Sequence, residues 1–202
     1  MLHNPRRLSV RRPNLRKLSR RLCRMIGLLL TIVLCFVTLA DAKAQKTSFP
    51  GTRSETTSPD GRYTIRNADD GSQVPAHTLT LIDNRDGAAT KVYSYARHVD
   101  VLWAPTSNAF VVNDYEGSDE SRPILFTAPW TNQPVDLREE MLEYLRSRHE
   151  ARSVLGNGHV YFSAKKWLSG NEVLCNVTGY GDVNPKGFTK HYVYKLGHGF
   201  QN

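Results

Sequence analysis

Cysteine is scarce in this sequence, with three residues in 202, and two of them lie near the N-terminus. Cys23 and Cys35 fall in a segment typical of a removable leader, which leaves Cys175 alone in the rest of the chain. A single cysteine excludes an intramolecular disulfide, so a packed core must hold the fold together. The apolar, alternating run around Cys175 predicts that this residue is a small buried part of that core.

The sequence also lacks the motifs that would identify an enzyme or a metal site. Its histidines form no H-x-H, H-x-x-x-H or H-E-x-x-H spacing, so zinc is not indicated. There is no G-x-S-x-G elbow, and nothing in the sequence pairs Cys175 with an activating base. We therefore expect a protein that is not an enzyme and holds no cofactor, although a triad assembled only in space would leave no such pattern. The histidines outside the leader are His77, His98, His149, His159, His191 and His198.

The N-terminal 44 residues carry the clearest pattern in the chain. Residues 1–24 are rich in arginine and contain no acid, residues 25–40 carry no charge, and Ala42-Lys43-Ala44 follows. This order predicts a signal peptide over residues 1–44, cleaved after Ala42 or Ala44, and therefore a periplasmic or secreted protein. The uncharged run is shorter than the roughly 20 residues that a bilayer span needs, but its retention as a membrane anchor stays an alternative.

The positive charge of the chain belongs to this leader. The whole sequence has 27 Lys and Arg against 19 Asp and Glu, a formal net charge of +8. Without the leader's ten basic residues and one acid, 17 basic and 18 acidic residues remain, a net charge of −1. Binding several nucleic-acid phosphates needs a clustered basic face, which the remaining chain lacks. Nucleic acid is therefore excluded as a predicted partner.

Short apolar runs separated by turn residues predict a β-rich chain after the leader. Residues 45–57 are polar, which favours a flexible lead-in, and residues 58–202 form one predicted domain. Residues 77–83 alternate apolar and hydroxyl side chains, and Asn84–Gly87 supplies a turn before a second strand at 91–95. Further strands are predicted at 62–66, 99–103, 110–113, 124–127, 160–164, 173–177 and 191–196. Their short connections favour an all-β fold of antiparallel sheets, either propeller-blade-like or a sandwich.

One segment, at about residues 136–152, breaks the strand pattern and predicts a single helix. Acidic residues come early in this segment and arginines late, an order that suits the helix dipole. Asn132 or Asp136 is placed to cap the first turn. The apolar stripe of the predicted helix consists of Leu137, Met141, Leu142 and Leu145.

Three turns along the chain share a pattern. Ser58–Gly61, Trp103–Asn108 and Trp167–Asn171 each stand before an apolar strand. The pattern resembles the W-S-P-D-G turn of TolB-like β-propellers, over most of the chain from Ser58 on. The resemblance implies turns that join the outer strand of one blade to the inner strand of the next, and a role in protein interaction. A propeller has about 4–8 blades; the predicted strands suffice for two and part of a third, so a sandwich, a partial propeller or closure by oligomerisation stay open.

The densest acidic stretch, residues 113–121, is a weak candidate Ca²⁺ loop. Its carboxylates are Asp114, Glu116, Asp119 and Glu120. Ca²⁺ takes roughly 6–8 oxygen ligands, which such a loop offers in part. The spacing does not match an EF-hand, and an acidic loop in water is the commoner meaning of such a run, so no metal is assigned.

Trp130 is the candidate ligand-contacting residue. It stands in a predicted loop, where an exposed indole would stack on a sugar ring. With the leader and the related turns, this favours a secreted or periplasmic binding or protein-interaction module whose partner is an unknown protein or a cell-envelope glycan. A secreted hydrolase or an accessory domain of one, and a membrane-anchored extracytoplasmic domain, are the alternatives.

Overall fold

The computed structural model describes residues 46–72, 76–117, 121–131 and 133–201. All described residues belong to one compact unit. Within them, no helix is long and apolar enough to cross a bilayer. The residues of the predicted signal peptide, together with Asp119, Glu120 and Asn132, lie outside the described part of the chain.

Strands dominate the described residues, which confirms the predicted all-β class. Three antiparallel sheets account for the strands. The N-terminal sheet contains β2 (Glu55–Thr57), β3 (Tyr63–Asp69), β4 (His77–Asp83) and β5 (Ala89–Tyr95). The central sheet contains β1 (Lys46–Phe49), β6 (Val99–Trp103), β7 (Ala109–Asp114), β8 (Arg122–Thr127) and β9 (Val135–Asp136). The C-terminal sheet contains β10 (His159–Trp167), β11 (Glu172–Tyr180), β12 (Phe188–Lys195) and β13 (Gly199–Gln201).

Each sheet is built around four strands that follow one another both in sequence and in space. The orders are β2-β3-β4-β5, β6-β7-β8-β9 and β10-β11-β12-β13, with β1 added beside β6. Consecutive strands pair antiparallel, which short connections allow and parallel crossovers would not. The three sheets are therefore three successive up-and-down meanders.

Residues 46–57, predicted as a flexible lead-in, instead contribute two strands. β1 pairs with β6, and β2 pairs with β3. Ser48 Oγ donates to the buried Asp100 carboxylate at 2.6 Å, and Thr47 Oγ1 donates to Thr56 Oγ1 at 3.0 Å. The polar composition hid these strands because their hydroxyl groups bond to other protein groups rather than to water.

The central sheet is buried on both faces because a flanking sheet packs on each side. On one face, Val101, Trp103 and Phe110 pack against apolar residues of the N-terminal sheet. On the other, Leu102 and Val111 pack against apolar residues of the C-terminal sheet. Every residue of β6 and β7 is buried. Because neighbouring residues of a strand point to opposite faces, the central sheet is the middle layer of three.

Cys175 lies in the core between the central and C-terminal sheets, as its apolar surroundings predict. Its side chain is buried, and burial raises the pKa of the thiol to about 12. A thiol with so high a pKa carries almost no thiolate at neutral pH, so Cys175 serves packing rather than nucleophilic chemistry.

The predicted single helix at about 136–152 is two helices, α1 (Leu137–Ser147) and α2 (Ala151–Leu155). Asp136 caps α1, because its side chain accepts from the backbone N–H groups of Arg138 and Glu139. His149 ends it with φ at 57°, while Glu150 N–H bonds to Leu145 O at 2.9 Å. Glycine usually occupies this left-handed position at the end of a helix. Because a histidine occupies it here, the sequence did not predict that the helix ends.

Each of the three related turns joins two strands of the same sheet. The turn that begins at Ser58 connects β2 to β3, the turn after Trp103 connects β6 to β7, and the turn after Trp167 connects β10 to β11. This differs from the connection between successive blades that the TolB-like resemblance implies. The turns are hairpin connections between the first and second strands of each meander.

The first two of these turns have the same geometry. Their matching hydrogen bonds are Ser58 N–H to Tyr63 O with Gly61 N–H to Ser58 O, and Ala104 N–H to Ala109 O with Ser107 N–H to Ala104 O. Gly61 and Ser107 hold matching positions with φ at 73° and 60°. The turns also touch, since Asp60 N–H donates to Ser107 Oγ at 3.0 Å. The sequence likeness of these two turns therefore corresponds to a structural repeat.

Two buried side chains of the central-sheet region hold the edge of the C-terminal sheet. Asn113 donates from Nδ2 to Ala164 O at 2.9 Å and accepts from Ala164 N–H at 2.8 Å. Ser121 Oγ donates to Phe162 O at 2.8 Å and accepts from Phe162 N–H at 3.0 Å. β10 is an edge strand of its sheet, so these side chains satisfy backbone groups that no neighbouring strand reaches.

Replacing Asn113 should therefore destabilise the protein much more than replacing an exposed asparagine. Asn113→Ala leaves the buried N–H and C=O of Ala164 without partners, and each such group costs about 1–3 kcal/mol. We expect a loss of about 2–4 kcal/mol in the free energy of unfolding measured in urea. Asn171→Ala, at an exposed turn position, is the control and should change stability by less than about 1 kcal/mol. Equal losses in the two variants would contradict the bridging role.

Candidate interaction surface

The outer faces of the two flanking sheets differ in chemistry. On the N-terminal sheet, the outer face carries the Thr57–Thr64 hydroxyl pair and the exposed Arg66–Glu55 ion pair at 3.3 Å. Thr80, beside Arg66, pairs across the sheet with Lys91. Short polar and charged side chains of this kind are typical of a sheet face in water.

The outer face of the C-terminal sheet also carries polar and charged groups, among them the Lys195–Glu172 ion pair at 4.0 Å, but it adds exposed aromatic side chains. Tyr161, Thr178 and Leu174 lie on this face, because the alternate residues Val173, Cys175 and Val177 of β11 point into the core. At its end, the Tyr180 ring stacks on His159 with centroids 4.6 Å apart. Tyr180 is 48% exposed, a large value for an aromatic residue within a strand. No other strand or helix of the described residues covers this face.

A shallow depression of about 430 Å³ opens beside Tyr180. Its lining includes Tyr161, Thr178, Tyr180, Lys186, Phe188 and Thr189. The Phe188 ring fills the space beside Gly179, where a Cβ atom would stand 2.9 Å from it. Glycine is therefore required at position 179 for the close packing that shapes this end of the sheet.

A loop at residues 181–187, held by hydrogen bonds to the end of α2, borders the depression. The buried Asn157 donates from Nδ2 to Val154 O at 2.9 Å and accepts from Asn184 N–H at 2.7 Å. Asn184 Nδ2 also donates to Ser153 O at 3.1 Å. Gly181 passes so close to Asn157 that any side chain at 181 would collide with its carbonyl. The loop is thereby tied to the end of α2.

Exposed large hydrophobic residues concentrate at this corner of the protein. Leu155, Tyr180 and Val183 are 37%, 48% and 49% exposed, and Leu168 is the one other such residue in the described part of the chain. Val183 lies against Gly156, since a Cβ atom added there would stand 3.0 Å from Val183 Cγ2. Exposed apolar side chains held together on a rigid frame are typical of an interaction site. Sequence reasoning missed them because Val183 lies in a run of turn residues with no periodicity.

Asp114 and Glu116, the described members of the candidate Ca²⁺ loop, differ in burial and in their partners. Asp114 is 3% exposed, accepts from Tyr93 Oη at 2.9 Å, and its Oδ1 has no partner among the described residues. Burial raises the pKa of the Asp114 carboxyl, while the Tyr93 hydrogen bond lowers it. Glu116 is exposed and faces Arg122 at 3.8 Å. The described residues contain no group of three side chains that could hold a metal ion.

Trp130 lies in a packed aromatic cluster rather than on an open loop. Its ring centroid is 5.1 Å from Tyr63, 5.5 Å from Phe110 and 6.1 Å from Trp103. The ring therefore closes one end of the core between the N-terminal and central sheets. Its Nε1 is buried and unpaired, and its T-shaped contacts with Tyr63 and Trp103 leave little ring face for a sugar.

Two described histidines have the kind of carboxylate neighbour that a hydrolase would need. His98 Nε2 lies 3.5 Å from Asp100 Oδ1. His77 Nδ1 pairs with Asp69 Oδ1, and the His77 ring stacks on Tyr95 with centroids 4.8 Å apart. His77 is 4% exposed, and no described serine or cysteine bonds to it. The His77–Asp69 pair stabilises the junction of β3, β4 and β5. Because His77 is buried, a substrate cannot approach it as it can approach the depression beside Tyr180.

Comparison with protein-family profiles and with curated proteins found no match to this chain. The candidate site therefore stands on geometry and chemistry alone, and the outer face of the C-terminal sheet is its strongest location.

Asp114→Asn should raise stability and flatten its dependence on pH. The folded-state pKa of Asp114 is raised, so the folded protein keeps this proton after the unfolded chain has lost it near pH 3.9. The free energy of unfolding therefore falls as pH rises from about 3.9 through the raised folded pKa. At pH 7, the neutral amide should gain about 1–3 kcal/mol by removing a buried charge whose Oδ1 has no hydrogen-bond partner among the described residues.

Urea unfolding of both proteins between acidic and neutral pH measures this effect. Glu143→Gln, at an exposed helix position, is the control and should leave the pH profile unchanged. A loss of stability in Asp114→Asn at pH 7 would contradict the assignment of Asp114 as a buried acid whose pKa is raised by burial.

Proposed function

We propose that the protein is a secreted or periplasmic β-rich binding or protein-interaction module. The observation that supports this proposal most is the contrast between the outer faces of its flanking sheets. Both outer faces carry polar and charged side chains, and the outer face of the C-terminal sheet in addition presents Tyr161 and Tyr180 beside a depression of about 430 Å³. Binding surfaces are marked by such local concentrations of aromatic residues, because these side chains lose little entropy when they are buried.

Secretion is part of this proposal and is supported by the leader. A basic region, an uncharged run and Ala42-Lys43-Ala44 favour cleavage after Ala42 or Ala44. The remaining chain has a single cysteine, so its core and not a disulfide holds the fold together. Its net charge of −1 does not favour binding to a polyanion such as nucleic acid. Retention of residues 25–40 would instead present the same surface from a membrane anchor.

The TolB-like resemblance belongs to the proposal as well. Three successive four-strand antiparallel meanders support blade-like units. A ring of about 4–8 blades is the usual closed form, so three units would need a second chain to complete one. The TolB-like resemblance implies protein interaction, and this role agrees with an exposed surface that carries aromatic side chains.

Site-specific crosslinking in the cell tests the proposed surface. A photo-reactive amino acid at Thr189, which lines the depression, should form a discrete adduct in protein recovered from the extracytoplasmic fraction. Tyr180→Ala in the same protein should weaken the adduct several-fold, because it removes the most exposed aromatic side chain of this face.

Thr90, an exposed position on β5, is the matched control and should give no such adduct. The proposal fails if Thr189 yields no adduct, or if Thr90 and Thr189 yield the same adducts.

A further inference from the structure

Tyr180 presents an aromatic ring face at the depression on the C-terminal sheet. The His159 imidazole stacks on one face of this ring, with centroids 4.6 Å apart and an angle of 17° between the planes. Tyr180 is nevertheless 48% exposed and lines the depression, so its second ring face is open to a ligand. The stack holds the ring in one orientation, which reduces the entropy that is lost when a ligand packs against it.

Hydroxyl groups form a row across the same depression. In the strand register, Thr178 of β11 lies between Tyr161 of β10 and Thr189 of β12, and all three line the depression. Neighbouring strands are about 4.8 Å apart, and a hydroxyl group can both donate and accept a hydrogen bond. In the next row of this face, Asn176 pairs with His191, whose Nδ1 lies 2.7 Å from Asn176 Oδ1. Neutral hydrogen-bonding groups therefore continue along the sheet beyond the depression.

Lys186 is the one charged side chain among the described residues that line the depression. No described residue forms an ion pair with it, and the described lining includes no acid. The depression therefore has a local positive charge, which favours a ligand that carries a negative group.

We propose that the depression binds an acidic glycan, a chain of sugar rings that bear carboxylate groups. The open face of Tyr180 would pack against the C–H face of a sugar ring. Thr178 and Thr189 would bond to sugar hydroxyl groups, and Lys186 would pair with a carboxylate. The volume of about 430 Å³ lies within the roughly 300–1,000 Å³ of small-molecule sites. The assignment rests on the proposed binding function of this same surface.

The chemistry of the lining favours a glycan over other negatively charged ligands. A nucleic acid needs several cations to bind its phosphates, and the described lining has one. A protein segment is held mainly by large anchors that fill well-packed pockets, whereas this depression is shallow. Half of its described lining residues carry a hydroxyl group, which suits a ligand with many hydroxyl groups of its own.

Two oligosaccharides that differ only in charge test the assignment. A short cello-oligosaccharide and its form oxidised to a carboxylate at each hydroxymethyl group have the same rings and linkages. In NMR titrations of the isotopically labelled full chain, the acidic form should shift the amide resonances of Thr178, Tyr180 and Thr189 and leave those of β5 unchanged. The neutral form should bind about threefold to fivefold more weakly, and high salt should narrow this difference because it screens an exposed ion pair.

Lys186→Gln should abolish the preference for the acidic oligosaccharide, with about a threefold to fivefold loss of affinity for it. Lys186→Arg keeps the charge and should keep the preference. Lys91→Gln removes the same charge from an exposed position on β5 and is the matched control, which should bind as the original protein does. Tyr180→Ala should weaken binding of both oligosaccharides by about tenfold, because each loses its stacking partner. Melting temperatures of the variants check that each is folded.

Absence of shifts with the acidic oligosaccharide would overturn the proposal. Equal affinities for the two oligosaccharides, or a preference that survives in Lys186→Gln, would overturn it as well. A discrete protein adduct at Thr189 without binding of the acidic oligosaccharide would assign the surface to a protein partner, so the proposed function would stand and the glycan would not. Absence of both the adduct and the binding would overturn both.

Discussion

Burial of both faces of the central sheet is the constraint to which the other parts of the structure conform. A sheet with two apolar faces cannot stand at a surface, because each face exposes large side chains to water. Trp103 and Phe110 on one face, and Leu102 and Val111 on the other, therefore require a flanking sheet on each side. Each large buried side chain of this kind contributes about 1.5–3 kcal/mol. The flanking sheets in turn need only one apolar face, which leaves their outer faces free to differ.

Polar groups decide how the layers are placed against one another. Asn113 and Ser121 bond to both backbone groups of single residues on β10, so they fix the position of that strand as well as satisfying it. Asp100 accepts from Lys46 and Ser48 and so holds β1 beside β6. Hydrophobic burial favours three layers, and these directional bonds select one arrangement of them.

Much of the strand pattern could be predicted because it follows local alternation. The strand at 77–83 and the turn after it agree with β4 and its hairpin, since hydroxyl and apolar residues alternate there without interruption. β1 escaped prediction because its partner strand, β6, lies far away in the sequence. β2 escaped prediction because its three residues, Glu55–Thr57, are all polar and show no apolar alternation. The break between the two helices at His149 was not predicted, because the left-handed position that ends a helix is usually occupied by glycine and here holds a histidine.

The candidate surface was harder to predict than the fold. Tyr180 and Val183 become a site only because Asn157, more than twenty residues earlier, holds their loop against α2. Trp130 was predicted to be exposed but is packed, because Tyr63 and Trp103, from strands distant in the sequence, enclose it. Exposure of a side chain depends on its spatial neighbours, and short sequence windows do not contain them. The candidate surface on the C-terminal sheet could therefore be identified only from the three-dimensional structure.

Amide hydrogen exchange along the chain tests the three-layer arrangement most directly. β6 and β7 lie in the middle layer, so their amides should open only with global unfolding and exchange most slowly. The amides of β5, an edge strand with a polar outer face, should exchange much faster. Equal protection of β5, β6 and β7 would contradict a doubly covered central sheet, and with it the account of why the two outer faces differ.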